Sequence, residues 1–170
     1  MSTFVWSQLL IAIAIVFDLA SFQFKQRQKI VCCLCFSGIL ISAHFILLEQ
    51  WTAAGLMLLA SIRYLSSIFT TSKMLMSFFL VCALVITSAT FTGLLSLLSF
   101  SGTAFQTSAS FCQNDQRLRQ LMVVGTTIWL VHNYLAGSPT AVIMELLFIG
   151  SNIVGYYRYY GINLRRHAQG

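Results

Sequence analysis

The sequence predicts an all-α membrane protein of seven transmembrane helices, built as two parallel three-helix repeats joined by a linker helix (3+1+3). Three observations predict it. The 170 residues are 58% hydrophobic and only 8% charged, with a mean hydropathy of +0.81, whereas soluble domains carry about 25% charged residues. The few charges punctuate apolar segments of spanning length. The second half of the chain also echoes the first at a shift of about 88 residues. The composition excludes a disordered chain, a disulfide scaffold and, despite a net charge of +6, a nucleic-acid-binding domain. The length leaves room for one membrane domain and no soluble domain beside it.

A helix crossing hydrocarbon needs about 20 mostly apolar residues. The first is residues 4–21. No Lys or Arg precedes its apolar run and Asp18 stands where a signal peptide would carry small residues, so it reads as a permanent helix. The second and third are residues 30–48 and 51–69, and the fourth is residues 74–88. From Met74 to Cys112 no charge occurs, a stretch of about 39 residues and far too long for one crossing of about 30 Å. Thr90-Phe91-Thr92-Gly93 supplies a turn, which leaves residues 93–112, rich in Ser, Thr and Gly, as the fifth helix. The sixth and seventh are residues 118–136 and 139–157.

Charge placement favours seven crossings over six. Lys25, Arg27 and Lys29 follow helix 1, and Lys73 follows helix 3. Arg117 and Arg119 precede helix 6, and Arg158, Arg165 and Arg166 follow helix 7. Only seven crossings put all of these on one face, and short-loop cations mark the cytoplasm. The N-terminus is then outside and the C-terminus inside. Trp6 and Trp51 suit the outer interface, and Tyr156, Tyr157, Tyr159 and Tyr160 the inner one.

At the repeat shift, His44 falls on His132, Leu47 on Leu135, Thr52-Ala53 on Thr140-Ala141 and Leu58-Leu59 on Leu146-Leu147. Upstream, Phe17-Asp18 falls on Phe105-Gln106 and Gln28-Lys29 on Gln116-Arg117. Repeat one is residues 4–69, the linker 74–89, repeat two 93–157, and a short tail 158–170. Transporters built from parallel repeats bind their substrates near the bilayer midplane, between the repeats.

Ionisable groups inside a span are expensive unless paired or hydrated. Asp18 and Arg63 both lie in the inner half, and their repeat counterparts, Gln106 and Ser151, are uncharged. Their joint loss fits a structural ion pair; a gate or a solute contact is the other reading. His44 and His132 form a symmetric pair near the outer ends of helices 2 and 6. They fit proton coupling or, equally, the capping of loop carbonyls. Glu145 is a lone carboxylate about two turns into helix 7, either functional or a neutral group hydrogen-bonded to a neighbouring helix. Gln106 makes helix 5 polar together with Ser99, Ser101, Thr103 and Thr107, and Asn133 adds an amide beside His132. Cys32-Cys33-Leu34-Cys35 has no second thiol pair to complete a zinc site, and small buried thiols account for all five cysteines. No catalytic motif, metal site or cofactor site is legible.

The run His44-Phe45-Ile46-Leu47-Leu48, then Trp51-Thr52-Ala53-Ala54 and Arg63, resembles the YgjV family of bacterial inner-membrane proteins. The resemblance covers most of the chain and is densest from Gln28 to Arg63. Glu49 departs from it, standing where a small residue is expected; Gly137 keeps that character in repeat two. The resemblance implies a bacterial inner membrane and kinship with SWEET and PQ-loop folds, although no Pro-Gln pair is present. It implies no settled activity. Asn152 resembles the Asn that commonly contacts substrate on the last helix of SWEET-like folds; an interhelical hydrogen bond is its alternative use. The function expected is a small transporter or facilitator of a small polar solute, with proton linkage allowed. His44, Gln106, His132, Asn133, Glu145 and Asn152 would line its route. The alternative is a non-transporting membrane subunit that binds a partner. The partners expected are the lipid bilayer and a small solute, with a homodimer allowed.

Overall fold

The computed structural model describes residues 2–21, 27–67 and 69–167, with side-chain surroundings described outside 21–31, 115, 158–159 and 161–167. The Lys25, Arg27, Lys29, Arg158, Arg165 and Arg166 side chains used to orient the chain lie outside these described surroundings, as does Tyr159. Every element among the described residues is a helix: α1 (Thr3–Ser21), α2 (Arg27–Leu47), α3 (Trp51–Ser67), α4 (Lys73–Ala89), α5 (Leu94–Ser110), α6 (Asp115–Leu135) and α7 (Pro139–His167). The uncharged stretch splits at the expected turn: α4 ends at a Thr90 cap, and α5 begins after Gly93 at φ 120°, a conformation glycine tolerates. Ser72 caps α4 by accepting from the Met74 N–H, and Asn114 caps α6 by accepting from the Arg117 N–H. The expected tail differs. It continues α7 as far as His167, giving a 29-residue helix about 43 Å long.

Two helices, Thr3–Ala20 and Pro139–Tyr157, are long and apolar enough to cross a bilayer on their own; Cys32–Leu47 and Lys73–Ala89 are shorter apolar helices. The burial pattern explains why the rest are diluted. Among the described residues, buried polar or charged side chains outnumber buried hydrophobic ones, while Phe4, Val16, Phe36, Leu58, Val85, Leu94 and Val154 are among many large apolar groups on the outside. That is the inverse of a water-soluble fold.

Helix neighbours follow one rule twice. α1 packs on α2 and α2 on α3; α5 packs on α6 and α6 on α7. The contacts α3·α5 and α1·α7 join the two sets, and among the described residues α4 touches only α3 and α5. Six helices therefore close a ring and α4 lies outside it. Small residues set the tightest approach: a Cβ on Gly125 of α6 would sit 3.0 Å from the Gly102 carbonyl of α5. The equivalent positions in α2 and α1 are Ser37 and Ala14, both buried, so each half closes on small side chains. We call the end bearing the α2–α3 and α6–α7 turns the upper end.

Those two turns match atom for atom in their backbone bonds. Leu48, Glu49 and Gln50 N–H donate to the His44, Ile46 and Phe45 carbonyls, and Ala136, Gly137 and Ser138 N–H donate to His132, Tyr134 and Asn133. Both need a left-handed residue, at Glu49 (φ 58°) and at Gly137 (φ 69°). The Glu49 departure thus leaves the turn geometry intact and places the strain on a residue with a Cβ. Glu49→Gly is expected to stabilise the protein by about 1 kcal/mol, read as a raised melting temperature in detergent. An unchanged or lower value would show that the Glu side chain offsets the strain.

Candidate functional site

Inside the ring lies a cavity of about 70 Å³ to which both halves contribute. α1 supplies Asp18, α2 Ser37, α3 Tyr64, α5 Gln106, α6 Trp129 and α7 Glu145. The remaining lining is apolar and includes Ile41, Met57, Ala60 and Phe148. Four pairs of lining residues, Asp18 with Gln106, Ile41 with Trp129, Met57 with Glu145 and Ala60 with Phe148, stand about 88 residues apart, the spacing expected of repeats that share a site. Trp129 Nε1, deeply buried, has no hydrogen-bond partner in the protein, and such a group costs about 1–3 kcal/mol if left unmet.

The Glu145 carboxyl is held from behind. Asn133 Nδ2 donates to Glu145 Oε1 at 3.3 Å, and the Asn133 Oδ1 faces His132 Nδ1 at 3.3 Å. An amide oxygen only accepts, so His132 Nδ1–H is the donor. The His132 ring is packed between Phe45 (centroids 5.5 Å) and Trp129 (5.0 Å), and its Nε2 is buried without a partner. This chain orients one oxygen of Glu145, the way outer groups orient a ligating carboxylate.

The seams between the halves are alike above and unlike below. At the upper end of α3·α5, Thr52 Oγ1 lies 2.9 Å from Ser96 Oγ and donates to the Thr90 carbonyl at 2.8 Å. At the upper end of α1·α7, the residues at the equivalent positions meet again: Thr140 N–H donates to Gln8 Oε1 at 3.2 Å. At the lower end, Arg63 Nη1 donates to Thr107 Oγ1 at 2.6 Å across α3·α5. Their counterparts across α1·α7 are Ser151 and Leu19, and these line a crevice of about 120 Å³ that shares Asp18, Met144 and Phe148 with the central cavity.

Several expected site residues move in consequence. The Asp18–Arg63 ion pair is not formed: the guanidinium binds Thr107 and lies 5.0 Å from the Tyr64 ring centroid, with Nε and Nη2 unbonded, while Asp18 faces the cavity. The two share a depth but not a direction. His44 is also displaced from the expected route. Its Nδ1–H donates to the Ser7 carbonyl at 2.9 Å and its Nε2 lies 3.2 Å from Ser138 Oγ, so it ties α1, α2 and the α6–α7 turn together. Asn152 donates to the Phe148 carbonyl of its own helix at 3.0 Å, not to another helix and not into the cavity. Gln106 and Glu145 do line the cavity, and His132 and Asn133 stand behind it. The cysteines are free thiols, with Cys32 exposed and the others half-buried, in place of the buried thiols expected.

Three lining residues that carry polar atoms in their side chains were not singled out from the sequence: Ser37, Tyr64 and Trp129. The repeat carried a signal for one of them, since Tyr64 is the counterpart of Asn152. A lone Ser or Trp in an apolar helix carries none.

A family model described as Imp-YgjV, bacterial inner membrane protein, matches residues 5–163. Inner membrane protein YgjV of Escherichia coli (strain K12) is 32% identical over 152 residues, covering 88% of this chain and 80% of that protein. No solved structure matches the chain.

Proposed function

Because the chain belongs to the Imp-YgjV family of bacterial inner membrane proteins, we propose that it is a transporter of a small polar solute and not an enzyme. On this reading it has seven crossings, a SWEET-like 3+1+3 arrangement, an outside N-terminus and a cytoplasmic C-terminus. The single observation that carries the reading is the central cavity, lined at equivalent positions by both halves and holding Asp18, Gln106 and Glu145. Carboxyl groups at such a place are expensive for a merely structural protein to keep. The matched turns and the matched upper seams support the duplication on which alternating access between two halves depends.

The closed upper seams and the crevice beside Asp18 support a state sealed above, with α1 and α7 free to part below. Flux in proteoliposomes tests this. Glu145→Gln is expected to lower uptake by at least about tenfold. Asn152→Ala, whose amide bonds its own helix, is expected to leave uptake within about twofold. No flux of any neutral, anionic or cationic solute class by wild type would sink the reading. One observation favours a second reading, a non-transporting subunit that positions a partner protein: the cavity holds only about 70 Å³, small beside the about 300–1,000 Å³ of ordinary ligand sites.

A further inference from the structure

We propose that the groove between the lower parts of α6 and α7 is a binding site for an anionic glycerophospholipid of the phosphatidylglycerol kind. Its phosphate would sit on Arg119 and Tyr156, and an acyl chain would run along Val123, Val124 and Ile153. The inference goes beyond the transport reading and does not rest on it.

The groove holds about 460 Å³, within the about 300–1,000 Å³ of ordinary ligand sites. Val124, Ile153 and Tyr157 line it and are exposed, so it opens on the outer wall of the ring and is entered sideways, from the bilayer. Its chemistry changes with depth. Val123, Val124 and Ile153 form the upper part, and Arg119, Tyr156 and Tyr157 the lower; Val124 stands about 7.5 Å above Arg119 along α6. Tyr157 lies about 27 Å below Pro139 along α7, the depth of a headgroup in a bilayer whose core is about 30 Å thick. A phospholipid carries the same gradient over the same distance, phosphate at the membrane face and hydrocarbon above it.

The lower part suits a phosphate. The Arg119 guanidinium reaches from α6 onto α7: a Cβ on Gly155 would lie 2.5 Å from its Nη1 and 3.4 Å from its Cζ. Five N–H donors let it serve phosphate oxygens beside the contacts it keeps within the protein. Gln116 Nε2 donates to the Tyr156 hydroxyl at 2.9 Å, and a phenol that accepts there has its own O–H to give. No Asp or Glu is among the described lining residues, and Arg117, Arg158, Arg165 and Arg166 belong to the same end of α6 and α7. Basic clefts of this kind between helices hold anionic headgroups, whereas phosphatidylethanolamine would bring an ammonium toward the arginines. The repeat supplies a contrast. The positions 88 residues before Arg119, Tyr156 and Tyr157 hold Val31, Ile68 and Phe69, so the headgroup set is peculiar to the second half and is not a by-product of duplication.

The test is native mass spectrometry of the delipidated full chain in detergent. It is titrated in turn with phosphatidylglycerol, phosphatidylethanolamine of the same acyl chains, glycerol 3-phosphate and inorganic phosphate. Phosphatidylglycerol is expected to be retained at least about tenfold more tightly than phosphatidylethanolamine, and the two chainless phosphates not at all. Arg119→Gln is expected to abolish the preference, and Tyr156→Phe to weaken phosphatidylglycerol about threefold. Arg117→Gln, exposed and outside the groove lining, is expected to leave it within about twofold. Tyr156→Phe carries the test should Arg119→Gln fail to give a monodisperse protein. The proposal is overturned if the two lipids bind alike, if phosphate alone is retained, or if Arg119→Gln and Tyr156→Phe bind like wild type. A loss with Arg117→Gln equal to that with Arg119→Gln would overturn it too, since general surface charge would then account for binding. So would a dimer that the groove variants dissociate, which would make a second copy of the chain the occupant.

Discussion

Gly125→Leu is expected to prevent the second three-helix half from assembling, with a loss of at least about 3 kcal/mol and no folded peak by size exclusion after mild heating. The reason lies in what surrounds that position. A Cβ there meets the Gly102 carbonyl at 3.0 Å, the Gln106 N at 3.3 Å and Gln106 Cγ at 2.9 Å. Two of these are backbone atoms of α5, so no side chain can turn aside; the helices must separate. Separation would carry Trp129, whose ring sits within 2.7 Å of where a Gly102 Cβ would lie, away from the cavity wall. The matched control is Gly150→Leu, with nothing within 4 Å, expected to change stability by less than about 0.5 kcal/mol. Equal melting of the two variants would show that the α5·α6 approach is not a close-packed contact.

The second large effect concerns movement. With the native cysteines replaced, a bifunctional thiol reagent bridging Leu19→Cys and Ser151→Cys is expected to stop flux by at least about tenfold, reversibly on reduction. These residues flank the crevice between α1 and α7. A disulfide between Thr52→Cys and Ser96→Cys, whose wild-type oxygens lie 2.9 Å apart, is expected to leave flux nearly unchanged. The α3·α5 seam is bonded at both ends, and the transport reading assigns it as the hinge about which the halves would turn. Arrest by the second lock, or indifference to the first, would reverse the assignment of hinge and gate.

All seven helices were legible because their boundaries are written in charges and turn formers, and a bilayer admits few lengths. Glu145 and Gln106 were legible as residues that line the interior cavity, because a polar group in a span must face something. Partner choice was not. Counting along a helix yields the depth of Asp18 and Arg63, yet which neighbour each meets depends on helix rotation, and Arg63 turns toward Thr107 of α5. His44 shows the same limit: its role is set by the Ser7 carbonyl of α1, distant in sequence. The repeat was the stronger guide, since it places Gln8 with Thr140 as surely as Ser96 with Thr52.

The hydroxyl-rich interior has a thermal consequence. The heat-capacity change that bends the stability curve of a soluble domain, about 12–15 cal/mol/K per residue, comes from apolar surface meeting water. In this chain the large apolar groups already face outward, and in a bilayer, separating the helices would wet little of that surface. Its free energy of helix association in lipid is therefore expected to vary almost linearly with temperature, with no optimum near room temperature.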